Sequence, residues 1–310
     1  MSDRSATAER ASPGDTVEGM DVLSDAVTGM RTGLPHASRT RLRAPWGVRF
    51  RPQQGAGFHV MLRGRCVLVP VRGEPLELTP GDMVFLPREL GHGIADAITT
   101  PLAEAFAGGG DGPETEMLCG AYRLDQARLH PLLTELPDVM RIPATDALRG
   151  AIDLLDRELG AAPGPGSDAA AAALLDVLLL YMLRAWYESR PGDETTGWGA
   201  ALRDPQIMEA LRAMHQRPEH PWTVQSLAAL AGLSRTAFAQ RFAATVGSPP
   251  LTYLTWWRMT TAARLLRDSD LPLRSVADRT GYATEFAFAK AFKREYGTAP
   301  GRYRGMREAG

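Results

Sequence analysis

Between Trp222 and Arg304 the chain carries the same short signature twice, about fifty residues apart. In the first copy Val224, Leu227, Ala228 and Ala231 follow the i, i+3, i+4, i+7 spacing of one buried helix face. Gly232 then ends the helix, Leu233 plugs the corner and Ser234 stands where an N-cap is wanted. The second copy repeats the plan with Val276 and Ala277 buried, Gly281 turning, Tyr282 plugging and Thr284 capping. Helix, tight glycine turn and helix make a helix-turn-helix, and each copy predicts the other. The intervening stretch from Pro250 to Arg267 holds Leu251, Leu254, Met259, Ala262, Leu265 and Leu266 in helical register. A helix of that length is a rod of ~27 Å. Two recognition helices held apart by it reach successive major-groove segments, about 34 Å apart on one face of a duplex.

These residues resemble the AraC/XylS transcription regulators over roughly residues 198–307. The resemblance is carried by the corner Ala231 to Ser234, the linker Tyr253 to Met259, the Gly281–Tyr282 turn and the closing Phe292 to Arg304. It implies an all-α double helix-turn-helix domain that binds double-stranded DNA, with RNA polymerase as a further partner.

Charge agrees with that division of labour. From Trp198 to Gly310 there are 16 Arg and Lys against 9 Asp and Glu, whereas Met1 to Gly197 has 19 against 27. Neutralising phosphates releases counterions, which draws the basic half onto DNA and keeps the acidic half off it.

From Trp46 to about Leu124 the pattern changes to short runs with close turns. Val48 to Phe50, Phe58 to Leu62, Cys66 to Val71, Leu76 to Leu78, Asp82 to Leu86 and Met117 to Leu124 read as strands, with turns at Gly64 and Gly73. Strands so spaced predict a small β-barrel or jelly roll. The stretch from Phe58 to Arg123 is similar to the cupin-type sensor found in front of some AraC-family domains, with Pro80, Gly81 and Asp82 at the turn and His92 beyond Pro87.

Metal-binding cupins carry two histidines one residue apart, a glutamate and a third histidine. Here only His59 and His92 stand at comparable places, and Met61 occupies the second position. The pair are weak metal candidates, with Glu77 or Glu89 as the available carboxylates, because a first-row ion needs three or four good ligands. No metal or other cofactor is expected. Cys66 and Cys119, the only two cysteines, both fall on strands of the same barrel. They admit two readings, as redox- or electrophile-sensing thiols or as small buried hydrophobes.

Two helices should follow, Asp146 to Leu159 capped by Thr145 or Asp146, and Asp168 to Glu188 with Leu174, Leu175, Leu178, Leu179, Met182, Leu183 and Trp186 apolar almost all round. So broad an apolar surface wants partners on several sides, which predicts a homodimer. The loop Gly108 to Gly112 reads as a barrel connection. The expected organisation is a disordered 1–20, a sensor barrel at 21–125, a helical dimerisation segment at 126–189, a linker at 190–199 and the DNA-binding domain at 200–307. The N-terminus lacks a signal-peptide layout. The apolar stretch Ala169 to Leu183 is interrupted by Asp176 and is shorter than the ~20 residues that span a bilayer. With two cysteines only, a cytoplasmic protein without a membrane partner is expected.

Helix geometry selects the base-reading candidates. Phe238 and Phe242 face the core, so Arg235, Thr236, Gln240 and Arg241 lie nearer the groove; Phe288 and Phe292 do the same for Thr284, Glu285, Phe286 and Lys290. Gln suits adenine, Arg guanine or phosphate, Glu the cytosine amine, and Thr or Phe the thymine methyl. The resulting expectation is a sequence-specific DNA-binding regulator, activator or repressor, whose cupin-like domain senses a small-molecule or redox signal that the sequence does not name. The alternative is a metal-dependent cupin enzyme with a helical appendage.

Overall fold

The computed structural model describes residues 21–104, 110–125, 129–192 and 195–305. The expectation of disorder at 1–20 and part of the Gly108–Gly112 loop fall outside these.

The chain opens with α1 (Val22–Met30), whose N-terminus is closed by the Asp21 carboxylate accepting from the amides of Leu23 and Ser24 at 3.0 and 3.1 Å. Among the described residues nine strands follow. β1 (His36–Arg43), β8 (Glu114–Tyr122), β3 (Ala56–Arg63), β6 (Met83–Leu86) and β9 (Met140–Ile142) make a five-stranded sheet in that order. β2 (Gly47–Phe50), β7 (His92–Ala95), β4 (Cys66–Pro70) and β5 (Leu76–Leu78) make a four-stranded one. All ladders between these strands are antiparallel. The expected barrel is therefore two facing sheets, with no continuous ladder closing the cylinder. The six strands read from the sequence are present; β1, β7 and β9 are additional. β1 escapes notice because its alternation is basic: Arg39 and Arg41 place their Nε atoms 2.7 and 2.6 Å from the buried Glu116 carboxylate of β8. β9 lies inside the stretch assigned to the helical segment, and Arg141 fastens it to β6 through Asp82 at 2.6 Å.

α2 (Pro131–Thr134) precedes β9, and then α3 (Asp146–Gly160), capped by Thr145, packs against α4 (Ser167–Ser189). At 23 residues α4 is long and apolar enough, by length and composition, to cross a membrane, which corrects the shorter estimate from Ala169 to Leu183. In the fold it is tied into protein: Tyr122 donates to the Leu175 carbonyl at 2.8 Å, Tyr187 donates to that of Leu132 at 3.0 Å, and Asp176 pairs with Arg31.

The C-terminal half is all helix: α5 (Gly197–Arg203), which starts inside the stretch read as linker, α6 (Pro205–Gln216), α7 (Val224–Leu230), α8 (Arg235–Val246), α9 (Pro250–Asp268), α10 (Leu273–Arg279), α11 (Glu285–Tyr296) and α12 (Pro300–Gly305). Gly232 and Gly281, at φ +66 and +76, supply the left-handed turns that the signature demanded. At Gly281 a Cβ would also stand 2.7 Å from the Arg258 guanidinium. One apolar core runs from the five-stranded sheet through α1 and α4 into α6, α7, α8 and the first half of α9. A separate core built on Met259, Leu266, Val276, Phe288 and Phe292 holds α10 and α11 against the second half of α9.

Candidate functional site

Each recognition helix is fixed by an aromatic pair on its inner side. Phe238 and Phe242 are fully buried with ring centroids 5.5 Å apart, and Phe288 and Phe292 repeat the arrangement at 5.7 Å. With that side committed to the core, the opposite side of each helix faces solvent. On α8 it presents Arg235, Thr236 and Gln240, all exposed, beginning one residue after Ser234, which caps the helix by accepting from the Ala237 amide. On α11 it presents Glu285, Phe286 and Lys290, after Thr284, whose hydroxyl accepts from the Ala287 amide at 3.1 Å. Phe286 is 80% exposed, an aromatic ring in water at the first turn of a helix. The sequence singled out these seven positions and Arg241, and two of the eight do structural work as well. Thr284 is spent on its cap. Arg241 holds the buried Asp204 carboxylate at 2.5 Å and the Gln206 amide oxygen at 2.9 Å. Gln206 in turn donates to the Ala231 carbonyl at 2.9 Å, so this clamp fixes α8 to the N-terminus of α6 and to the corner before it.

α9 joins the two units as a helix of 19 residues, ~28 Å long, with Trp257 buried and Trp256 half-buried on its packed side. The two tryptophans are thus part of the packing.

The sensor half has a site of its own. Strand register sets His59 of β3 directly opposite Cys119 of β8, and the facing sheet sets His92 of β7 opposite Phe50 of β2. The imidazoles meet between the sheets: His59 Nε2 lies 2.8 Å from His92 Nε2, His59 Nδ1 lies 3.1 Å from Cys119 Sγ, and His92 Nδ1 lies 2.9 Å from Glu89 Oε1. Phe50 stacks on His92 at 4.6 Å. Gly57 makes room for the carboxylate, since a Cβ there would sit 2.2 Å from Glu89 Oε2. Phe50, Gln53, His59, Glu89, His92 and Cys119 line a cavity of about 440 Å³. Burial, and then His92, hold His59 well below the usual histidine range. Among the described residues no three His, Cys, Asp or Glu side chains converge as a metal site. The two cysteines part company here. Both belong to one apolar cluster, but Cys66 donates to Met61 Sδ at 3.3 Å and does not line the cavity. Burial pushes both thiols up to about 12. The sequence paired His59 with His92 and offered Glu89 as one of two carboxylates beside them; that Cys119 joins them depends on the register of β3 on β8 and was not legible.

A cupin family model matches residues 21–188, and a helix-turn-helix domain model matches residues 227–306. The chain is 35% identical over 300 residues to a putative AraC-like transcription regulator of Streptomyces antibioticus, spanning 92% of this chain and 98% of that one. It is 31% identical over 253 residues to the RCS-specific HTH-type transcriptional activator RclR of Escherichia coli (strain K12), spanning 80% and 83%. Among solved structures, the DNA-binding domain of AdpA in complex with a target DNA is similar to 34% of this chain and 95% of its own, at 36% identity and a TM-score of 0.32. The protein belongs to the AraC-like transcription regulators, with a cupin domain ahead of its paired helix-turn-helix units.

Proposed function

We propose that this chain grips double-stranded DNA with α8 and α11 in successive major-groove segments, and that a signal received between the two sheets changes that grip. It acts as a regulator and not as an enzyme, in the cytoplasm where its DNA is, as a homodimer that also touches RNA polymerase. The observation that carries the reading is the outer side of the two recognition helices. Thr236 and Gln240 on one, and Phe286 and Lys290 on the other, are all exposed while the aromatic pairs beneath them are buried. Gln240 pairs two-fold with adenine, Phe286 packs on a thymine methyl, and Arg235 and Lys290 take guanine or phosphate. Leu154 of α3 and Val177 of α4 are exposed apolar residues on the helical pair, which supports pairing of two copies there.

Selection of sites from a random duplex pool by the full chain at fixed salt tests this. An enriched motif with two half-sites about ten base pairs apart is expected. Recovery of no motif, with binding equal on all duplexes, would overturn it.

A further inference from the structure

The cluster between the sheets has a direction. A carboxylate only accepts, so Glu89 fixes the hydrogen of His92 on Nδ1, and His92 Nε2 is left as an acceptor. His59 must then donate from Nε2, which leaves its Nδ1 to accept from the Cys119 thiol. Every link is satisfied with both imidazoles neutral and a single negative charge at the far end.

From this arrangement we infer that Cys119 is a nucleophile toward small conjugated carbonyl compounds that enter the cavity, activated by passing its proton through His59 and His92 to Glu89. The steps balance. The thiol proton moves to His59 Nδ1, the His59 Nε2 proton to His92 Nε2, and the His92 Nδ1 proton to Glu89. The imidazoles end as neutral tautomers, Glu89 as the acid and Cys119 as the thiolate. The sulfur then bonds to the β-carbon, the carbon–carbon π pair shifts toward the carbonyl, and the proton held at Glu89 returns through the chain or through water to the α-carbon. No oxidant is needed and nothing leaves.

The physical point is that no charge is created. Burial raises the Cys119 thiol because a new thiolate would lack solvation. The relay moves a buried charge that already exists, since Glu89 and Cys119 are each 8% exposed. Cys66 donates to a thioether and not to an imidazole, and should stay inert. The cavity, at about 440 Å³, admits a small organic molecule, and Phe50 gives it a flat wall. The inference deepens the sensor reading above. Its test reads covalent chemistry alone, so the fate of the DNA reading does not decide it.

The full chain is treated with N-ethylmaleimide, and the labelled residue and rate are followed by mass spectrometry. One adduct at Cys119 is expected, at a rate nearly flat from pH 6.5 to 8.5, because proton transfer within the chain leaves its total charge unchanged. Glu89→Gln, whose amide oxygen still accepts from His92 but takes up no proton, should slow labelling at least about tenfold while the protein stays folded. Labelling of Cys66 instead, an equal rate in Glu89→Gln, or a rate rising about tenfold per pH unit as for an isolated thiol, would each overturn the proposal. If Glu89→Gln fails to fold, the pH profile of the wild-type chain decides.

Discussion

The hydroxyl of Tyr253 in α9 lies 2.8 Å from Nε2 of His215 in α6, and the same oxygen lies 3.1 Å from Nε2 of His130 on the sensor side. The Leu132 amide donates to His130 Nδ1, so His130 donates to Tyr253, Tyr253 donates to His215, and His215 donates from Nδ1 to Asp25 of α1 at 3.2 Å. A polar chain thus crosses the junction between the two halves, beginning and ending in the sensor. His215 is stacked on Trp257 with ring centroids 3.8 Å apart.

Tyr253→Phe keeps the ring and removes the oxygen, which strands a buried donor on His130 and a buried acceptor on His215. A loss of about 2–6 kcal/mol is expected, at roughly 1–3 for each stranded group. Urea unfolding of the variant against wild type measures it, and a loss below about 0.5 kcal/mol would count against the chain as a structural tie.

Burial holds His59, His130 and His215 below the ordinary value of 6.5, His59 and His130 the further. Asp25 partly offsets the effect at His215. The unfolded chain therefore takes up protons first as pH falls. The stabilisation is complete above pH 6.5 and drains away below it, by up to about 1.4 kcal/mol per pH unit for each histidine. Urea midpoints at pH 8 and pH 5.5 should differ accordingly, the lower pH being the less stable.

Gln240→Ala should leave folding within about 0.5 kcal/mol of wild type, because the side chain is exposed. At one position of the first half-site it should relax base preference by about 1–3 kcal/mol. Competition binding with single-base variants of the selected site checks this, and unchanged preference would mean the helix is rotated from the register drawn here.

Arg241→Ala should behave differently despite lying beside Gln240. It deprives the buried Asp204 carboxylate of its guanidinium and loosens α8 from α6. The expected result is destabilisation by about 1–3 kcal/mol and weaker binding to all duplexes alike, read from thermal melts and from titrations on matched and mismatched sites.

Phe286→Ala tests the second unit. With 80% of the ring in solvent, stability should move by less than about 0.5 kcal/mol. Affinity should fall only for sites that retain the second half-site.

The two units were legible because their signals are local. Gly232 with Ser234, and Gly281 with Thr284, announce a turn and a cap within a few residues, and the structure places each there. Strands with apolar alternation were equally visible, whereas β1, with arginines paired to Glu116, had no such pattern. α1 was invisible as a docking element because its partners, α6 and α9, lie far along the chain. The same holds for both polar chains. Nothing near Tyr253 in sequence indicates His130, 123 residues away, and nothing near Cys119 indicates His59, 60 residues away.

The division of the apolar interior makes the two reading heads mechanically unequal. The first shares its core with the sensor; the second sits on its own core at the far end of α9 and is tied back by Arg267, which donates to the Arg31 carbonyl and to the Tyr303 hydroxyl, each at 2.9 Å. On the signalling proposed above, a change between the sheets would bear on α8 through shared packing and on α11 through α9 and that guanidinium, so that what it would set is the distance between a fixed hand and a sprung one.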